Sequence, residues 1–249
     1  MIERLHPGPV VTDADDEQLL DWYSAPSGAD PWVRFEFIAS ADGAATVQGR
    51  AGGLGSAEDQ RVLHLLRRLA DVLLVGAGTI RAEGYGGELL DAPGRAWRQR
   101  RGMRPRPVVA VVSAHLDLDP ASAFFADAPE PPLVLTKDGA DRDRRRALER
   151  VARVIGVGER AAEPGRILAA LGADGHRVVH SEGGPTLFGA FQRAGAVDDL
   201  CLSLSPTLAG SDEPRIVRDA PLPAPLGLRL AHVLRADDLL LLRYASGRG

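Results

Sequence analysis

Short apolar segments alternate with amphipathic segments along most of the chain, and this alternation most constrains the fold. The segments 72–78 ("VLLVGAG") and 107–113 ("PVVAVVS") are apolar almost throughout, which is typical of parallel strands that are covered on both faces. The segment "SAEDQRVLHLLRRLADV" begins with a capping box, Ser56 and Asp59, and then spaces its apolar residues along one helix face. This order of elements predicts β-α-β units with parallel strands.

The alternation continues to residue 195 and then stops. Further strands are predicted at 32–40, 132–136, 153–158 and 176–180, and further helices at 141–151, 164–175 and 185–195. Apolar segments at 198–210, 226–236 and 237–245 follow one another with no helix between them, which favours antiparallel pairing. We therefore predict an α/β fold with a mixed, mainly parallel central sheet, helices on both faces and antiparallel C-terminal strands.

The 249 residues are predicted to form a single domain preceded by an extension. The extension comprises residues 1–31 and carries a short helix at about 14–23, with Thr12 or Asp13 as its cap. The proline-rich stretches 127–132 and 219–227 are too short to link separate domains. Residues 32–249 are therefore predicted to be the single domain.

The charge balance argues against nucleic acid as a partner. The net charge is −4 at pH 7, so the chain has no overall positive field. Basic residues cluster at 95–106 and 142–146, and we interpret these clusters as a solvated loop and a solvated helix face. No apolar run approaches the roughly 18 residues that cross a bilayer, and the N-terminus has no apolar signal region. We expect a cytoplasmic protein that does not bind membranes.

Cysteine usage excludes a zinc deaminase. Residues 180–182 ("HSE") match the H-x-E half of the deaminase signature, but Cys201 is the only cysteine in the chain. The P-C-x-x-C half of that signature is therefore missing. We predict neither a metal site nor a disulfide.

Unusual turns follow three of the predicted strands, at the ends where α/β sheets bind ligands. The first turn carries Ser40 and Asp42 and leads into a glycine-rich loop, although an ordinary Asp-Gly β-turn would have the same sequence. In the second turn, Gly76-x-Gly78 resembles the start of a dinucleotide fingerprint, but Arg81 occupies the third glycine position and no helix plainly begins there. The hydroxyl of Thr79 and the carboxylate of Glu83 are candidate ligand contacts, and a glycine turn with a solvated Glu83 is the alternative.

The third turn, "HSEGGPTLFGAF" at 180–191, predicts a phosphate site. Gly183 and Gly184 permit close approach to the backbone, and Pro185 stands where the first residue of a helix is expected. The start of a helix presents unpaired N–H groups and the positive end of its dipole to an anion. Glu182 would repel a phosphate, so we expect it to point toward a ligand ring that carries hydrogen-bond donors; a structural capping role is the alternative.

Four motifs occur in an order that resembles one family. They are "SADG" (40–43), "VGAGTIRAE" (75–83), "SEGGPTLFG" (181–189) and "SPTLAG" (205–210). Together they are similar to the reductase domain of bacterial riboflavin biosynthesis, over about residues 32 to 245. The resemblance implies a dihydrofolate reductase-like fold and NADPH as cofactor. It also implies hydride transfer to a C=N group of a phosphorylated aminopyrimidine.

The resemblance assigns roles to individual residues. The cofactor-binding positions it implies are Thr79, Glu83, Ser113, Gly183, Gly184, Pro185, Thr186 and Leu187, with His115 as a possible partner of the ribose 2′-phosphate. The implied substrate-binding positions are Ser40, Arg67 and Glu182, of which Arg67 would face the substrate phosphate. Asp42 is the first candidate for supplying a proton and Glu83 the second. A further phosphate-binding arginine does not align cleanly, which leaves Arg95, Arg98, Arg100 or none of them.

Two other activities stay open at this point. The same fold and cofactor would also serve reduction of dihydrofolate or another pterin, and a non-catalytic NADPH-binding protein would keep the phosphate turn. Besides its small-molecule substrate, the chain is expected to bind a second copy of itself. The apolar C-terminal strands predict this homodimer because they would otherwise leave a sheet edge or face uncovered.

Overall fold

The computed structural model describes residues 1–28, 30–210, 212–219 and 221–247. Its strands are β1 (Ile2–His6), β2 (Trp32–Ser40), β3 (Val72–Gly76), β4 (Val108–Val112), β5 (Leu133–Thr136), β6 (Arg153–Gly156), β7 (Val178–Ser181), β8 (Asp199–Ser205), β9 (Leu228–Ala236) and β10 (Leu239–Ser246). Its α-helices are α1 (Asp16–Trp22), α2 (Ala57–Leu69), α3 (Ala77–Glu83), α4 (Ala92–Arg100), α5 (Ala123–Ala126), α6 (Arg142–Leu148), α7 (Pro164–Ala173) and α8 (Pro185–Arg193), and a 3₁₀ turn spans Ala51–Gly53.

The strands form one mixed sheet in the order β1-β9-β10-β8-β2-β7-β3-β4-β5-β6. Neighbours from β8 through β6 run parallel, whereas β1, β9, β10 and β8 pair antiparallel. In the centre, Phe35 of β2 pairs with Ser181 of β7 on one side and with Leu200 of β8 on the other. The carboxyl ends of the parallel strands therefore meet at one edge of the sheet.

Helices cover both faces of the sheet. On β3, Val72 and Leu74 pack in a cluster that includes Phe188 of α8, whereas Val75 packs in a separate cluster with Ile80 of α3. Successive side chains of a strand point to opposite faces, so the two clusters lie on opposite sides. A third cluster places α1, α2 and α4 against the antiparallel strands. The predicted fold class is confirmed.

The N-terminal segment contains a strand that the sequence analysis did not predict. Residues Ile2–His6 form β1, which pairs antiparallel with β9 and covers its outer edge. The predicted helix of this segment is present as α1, although Asp15 caps it, in a reciprocal capping box with Gln18. The five residues of β1 are too few to show a clear alternation of apolar and polar side chains. The strand that pairs with β1 lies more than 220 residues away along the chain.

Two further segments differ from prediction. The basic stretch interpreted as a solvated loop instead forms most of α4, which Asp91 caps and in which Trp97 and Arg98 are buried. The Arg98 guanidinium donates to the carbonyl oxygen of Arg68, at 2.8 Å, and to that of Ala70, where α2 ends. Helix α3 begins directly after Gly76, where no helix start was expected, because its N-cap has no capping side chain to mark it.

None of the helices within the described residues is both long enough and apolar enough to cross a membrane.

Candidate functional site

A cleft of about 1010 Å³ opens where the parallel strands end. Its walls come from β2, from α2, and from the turns that follow β3, β4 and β7. Ligands of open α/β sheets bind at this edge. Of the predicted site residues, those that line the cleft are Arg67, Thr79, Glu83, Ser113, His115, Glu182, Gly184, Pro185, Thr186 and Leu187.

The turn before α8 and the turn after β3 contact each other through glycine backbones. Gly76 N donates to Gly183 O at 2.7 Å, and a Cβ on Gly76 would lie 3.4 Å from Gly184 N. Gly183 has φ +78°, and a Cβ there would lie 2.8 Å from the Phe37 ring. Glycine is therefore required at Gly183 for both its backbone conformation and its space.

Helix α8 begins at this contact with an open first turn. Gly184 is its N-cap and supplies no side-chain hydrogen bond, and Pro185 has no N–H to satisfy. The first residues of α8 line the cleft, and the hydroxyl of the exposed Thr186 is a further donor there. Thr79 lies close by, since a Cβ on Gly184 would be 2.7 Å from its Oγ1. This cradle of backbone and hydroxyl donors fits a diphosphate.

The other predicted cofactor positions lie further along the cleft. Ser113 is buried at the end of β4, and its N–H donates to Leu135 O at 3.0 Å. The exposed His115 follows it. Glu83 is exposed at the end of α3 and accepts a hydrogen bond of 3.0 Å from Ala51 N, so it joins α3 to the glycine-rich loop.

Glu182 and Arg67 form a buried ion pair at the cleft wall. Arg67 Nε lies 2.7 Å from Glu182 Oε1, Nη2 lies 2.8 Å from Oε2, and the Tyr85 hydroxyl also donates to Oε2. Burial by itself raises the pKa of Glu182, but Arg67 and the hydrogen bonds outweigh it and lower the pKa to about 2. Glu182 is therefore ionised and its oxygens are occupied by the protein's own donors.

A second carboxylate, Glu36 of β2, lies beside this pair. His180 Nε2 is 3.2 Å from Glu36 Oε2 and 3.8 Å from Glu182 Oε1. Neither nitrogen of the fully buried His180 has a hydrogen-bond partner of good geometry among the described residues. Glu36 Oε2 is buried against this ring, while the rest of the Glu36 side chain lines the cleft. The Glu36 carboxylate is thus a further hydrogen-bond acceptor for a ligand in the cleft.

Asp59 contributes a third carboxyl to the same wall. It lies in the first turn of α2, is 8% exposed, and accepts a hydrogen bond of 2.6 Å from the Ser203 hydroxyl of β8. Burial raises its pKa to about 6; the Ser203 hydrogen bond opposes this rise and the charge of Glu36 adds to it. No cation bonds to Asp59 among the described residues, in contrast to Glu182.

Ser40 and Asp42 lie outside the cleft lining. The Ser40 hydroxyl donates to Asp42, whose carboxylate also accepts from Ala209 N at 3.1 Å and Gly210 N at 2.9 Å. These hydrogen bonds, led by that of Ser40, lower the pKa of Asp42 to about 2. The geometry ties the turn after β2 to the loop after β8. It does not favour Asp42 as a proton donor, a role that stays a prediction.

The arginines left open for a substrate phosphate do not line the cleft. Arg98 is 1% exposed, and burial lowers its pKa to about 10. Arg95 pairs with Glu88 at 2.8 Å. Neither these two nor Arg100 is among the lining residues.

Sequence reasoning missed Tyr85, Glu36, Asp59 and the partners of His180. A weak signal was available for Glu36 and His180, because each places a titratable group inside an otherwise apolar strand. Asp59 was hidden by its second role, since a carboxylate three residues after Ser56 also completes a helix N-terminus. The described residues contain no cluster of His, Cys, Asp and Glu able to hold a metal ion.

Comparisons with known proteins identify the family of this chain. Residues 31–242 match the RibD C-terminal domain family, and the chain belongs to that family. The structure is similar to that of a pyrimidine reductase-like protein from Corynebacterium diphtheriae, with a TM-score of 0.83 and 28% sequence identity. The match covers 95% of this chain and 100% of the C. diphtheriae chain. The α/β fold with a mixed sheet that the sequence predicted is thus shared with a pyrimidine reductase-like protein.

Two relatives are named for their functions. The 2,5-diamino-6-ribosylamino-4(3H)-pyrimidinone 5′-phosphate reductase of Archaeoglobus fulgidus is 29% identical over 188 residues, which cover 75% of this chain and 85% of that protein. The riboflavin biosynthesis protein RibD of Mycobacterium tuberculosis is 29% identical over 194 residues, which cover 77% of this chain but only 47% of that protein. The chain therefore spans about half the length of such RibD proteins.

Proposed function

We propose that this protein is an NADPH-dependent reductase of riboflavin biosynthesis. It transfers a hydride to a C=N group of a phosphorylated aminopyrimidine of the 5-amino-6-(5-phosphoribosylamino)uracil type. The observation that carries the proposal is the convergence, in one cleft, of an open helix start at α8 and a wall of buried carboxyl groups. The A. fulgidus relative, a pyrimidinone phosphate reductase, supports the same reaction class.

The cofactor is assigned to the turn that precedes α8. Backbone amides of the first turn, the hydroxyls of Thr79 and Thr186, and the close approach allowed by Gly183 and Gly184 fit a dinucleotide diphosphate. Ser113 and His115 extend the same cleft and are proposed to meet the adenosine end. When bound, the reduced nicotinamide supplies the hydride. The chain's own residues orient both reactants and exclude water from them.

The substrate ring is assigned to the carboxyl wall. Aminopyrimidines present N–H donors, and Glu36 leaves part of its carboxylate side chain open to the cleft. Glu182, already bonded to Arg67 and Tyr85, holds that wall in place. Because a phosphorylated substrate does not cross membranes unaided, we propose that the protein acts in the cytoplasm.

Pterin reduction is the second candidate function. The observation in its favour is that Glu182 engages the Arg67 guanidinium that was predicted to face a substrate phosphate. Arg95, Arg98 and Arg100 do not line the cleft. A pterin such as dihydrofolate would need the carboxyl wall but not a phosphate-binding arginine beside it.

Steady-state kinetics separate these alternatives. NADPH oxidation is followed with the aminopyrimidine phosphate, with its dephosphorylated form, and with dihydrofolate. The proposal expects turnover of the phosphorylated pyrimidine with a kcat/KM at least tenfold above that of either alternative. Preferential turnover of dihydrofolate supports the second candidate. NADPH binding without oxidation in all three assays leaves a non-catalytic binding protein.

We also propose a homodimer that uses a face of the C-terminal strands and not their edge. Strand β1 covers the outer edge of β9, so the edge of the C-terminal strands is not free. Their face that looks away from α1 and α2 carries half-buried apolar side chains, which are Leu202, Leu204, Val233, Leu240 and Leu242. A second copy packed on this face would remove these side chains from water. Sedimentation at micromolar concentration tests this proposal, and a monomer contradicts it.

A further inference from the structure

Asp59 is bonded differently from Glu182, Asp42 and Glu83, three other carboxyl groups in or beside the cleft. Arg67 and Tyr85 bond to Glu182, three donors bond to Asp42, and Ala51 N bonds to the exposed Glu83. Asp59 has a hydroxyl donor, Ser203, on Oδ1 and no cation. The contacts of Glu182 and Asp42 lower the pKa of both carboxyl groups and keep them as anions, whereas nothing around Asp59 requires its charge.

The second oxygen of Asp59 has room and access. Among the described residues no hydrogen bond occupies Oδ2, and this oxygen is accessible to a ligand. The Asp59 side chain that carries it lines the cleft. A Cβ on the neighbouring Gly55 would lie 2.9 Å from Oδ2. The glycine therefore keeps the space around this oxygen open.

The environment raises the pKa of Asp59 and so shifts it toward the neutral acid. Burial is the largest effect, the Glu36 charge from β2 acts in the same direction, and the Ser203 hydroxyl from β8 acts against both. On its own helix, Arg67 is engaged by Glu182. Asp59, bonded through Oδ1 to the Ser203 hydroxyl and open at Oδ2, is thus placed to donate a proton into the cleft.

From this geometry we infer that Asp59 is the proton donor of the reduction, in place of Asp42. The inference rests on the proposed function. Reduction of C=N requires a hydride at carbon and a proton at nitrogen. As the carbon accepts the hydride of the nicotinamide cofactor, the C=N π pair moves to nitrogen and takes the proton from Asp59 Oδ2. The Asp59 carboxylate then regains a proton from solvent.

The kinetic test compares Asp59→Asn with the wild type across pH. The substrate phosphate also titrates near pH 6, but it does so equally with both enzymes. The diagnostic quantity is therefore the kcat/KM of the wild type divided by that of Asp59→Asn. A ratio of about 100 or more is expected at pH 5, falling about tenfold for each pH unit above 6 as Asp59 loses its proton. Asp59→Glu is expected to restore part of the low-pH activity, and the exposed Asp21→Asn serves as the matched control.

Either a ratio that does not change with pH or full activity of Asp59→Asn overturns the inference. A second measurement, made without substrate, tests the protonation of Asp59 independently of the proposed function. Infrared spectroscopy of the substrate-free protein is expected to show a protonated carboxyl band that titrates near pH 6 and that is missing in Asp59→Asn. Absence of this band overturns the inference. Absence of turnover in the wild type contradicts the proposed function. In that case the infrared band alone shows whether Asp59 holds a proton near pH 6.

Discussion

Arg67 and Glu182 face each other through two parallel hydrogen bonds, of 2.7 Å and 2.8 Å, at the wall of the cleft. The pair joins α2 to the turn after β7, two elements that are 115 residues apart along the chain. Its side chains are 10% and 6% exposed, so water screens them little. The pair therefore fixes both the charge of Glu182 and the position of the turn that leads into α8.

Removal of Arg67 alone is expected to destabilise the protein strongly. Arg67→Ala leaves the Glu182 carboxylate buried without its cation, which costs about 3–5 kcal/mol of unfolding free energy. The double variant Arg67→Ala/Glu182→Gln is expected to recover a large part of this loss, because no uncompensated charge remains. Urea denaturation measures both. Arg146→Ala, at an exposed pair of 3.9 Å, is the control and should change stability by less than about 0.5 kcal/mol. Equal losses in the single and double variants would contradict this account.

Glu182 also predicts a loss of stability in acid. Its pKa falls from 4.5 in the unfolded chain to about 2 in the folded protein. A lowered pKa contributes stability that is complete above pH 4.5 and is lost as the pH falls through 2. The contribution is at most about 3 kcal/mol. Glu182→Gln should therefore lose less stability than the wild type between pH 4.5 and pH 2. Chemical denaturation at several pH values checks this, and parallel curves would refute it.

Asp59 predicts the opposite dependence. Its pKa rises from 3.8 to about 6 on folding, so the folded state holds a proton that the unfolded chain has released. The contribution of Asp59 to the unfolding free energy is then greatest below pH 3.8 and declines as the pH rises through 6. Asp59→Asn removes this penalty while Asn Oδ1 keeps the Ser203 hydrogen bond. The variant should gain up to about 3 kcal/mol over the wild type on going from pH 3 to pH 8. A gain that is independent of pH would show that the charge of Asp59 is not the cause.

Gly183→Ala tests the contact that forms the phosphate turn. The substitution places a Cβ at φ +78° and 2.8 Å from the Phe37 ring, which should cost about 1–3 kcal/mol and weaken nucleotide binding at least tenfold. Gly165→Ala is the matched control, because this glycine lies in α7 with no atom within 4 Å of its Cβ position. The control should be neutral or slightly stabilising and should bind normally. Unimpaired binding by Gly183→Ala would exclude the turn as the site.

Local patterns predicted the parallel half of the sheet because its strands are short and mostly apolar and each is separated from the next by a turn or a helix. Short elements such as β1 and α5 were missed because partners distant in the sequence stabilise them. Helix α4 was missed since its arginines resemble a solvated loop, while the carbonyl groups that bind Arg98 become neighbours only on folding. The glycine turn could be predicted from residue types alone. The roles of Asp59, Glu36 and His180 could not, because each depends on groups that other strands bring into contact.

Titration of the wild-type protein with NADPH, followed by nicotinamide fluorescence, tests the central claim most directly. The claim is that the first turn of α8 and the glycine backbones before it bind the diphosphate of the cofactor. We predict a saturable signal at micromolar NADPH that Gly183→Ala weakens at least tenfold and Gly165→Ala leaves unchanged. The absence of a signal up to millimolar NADPH, or equal binding by the wild type and Gly183→Ala, would contradict the claim.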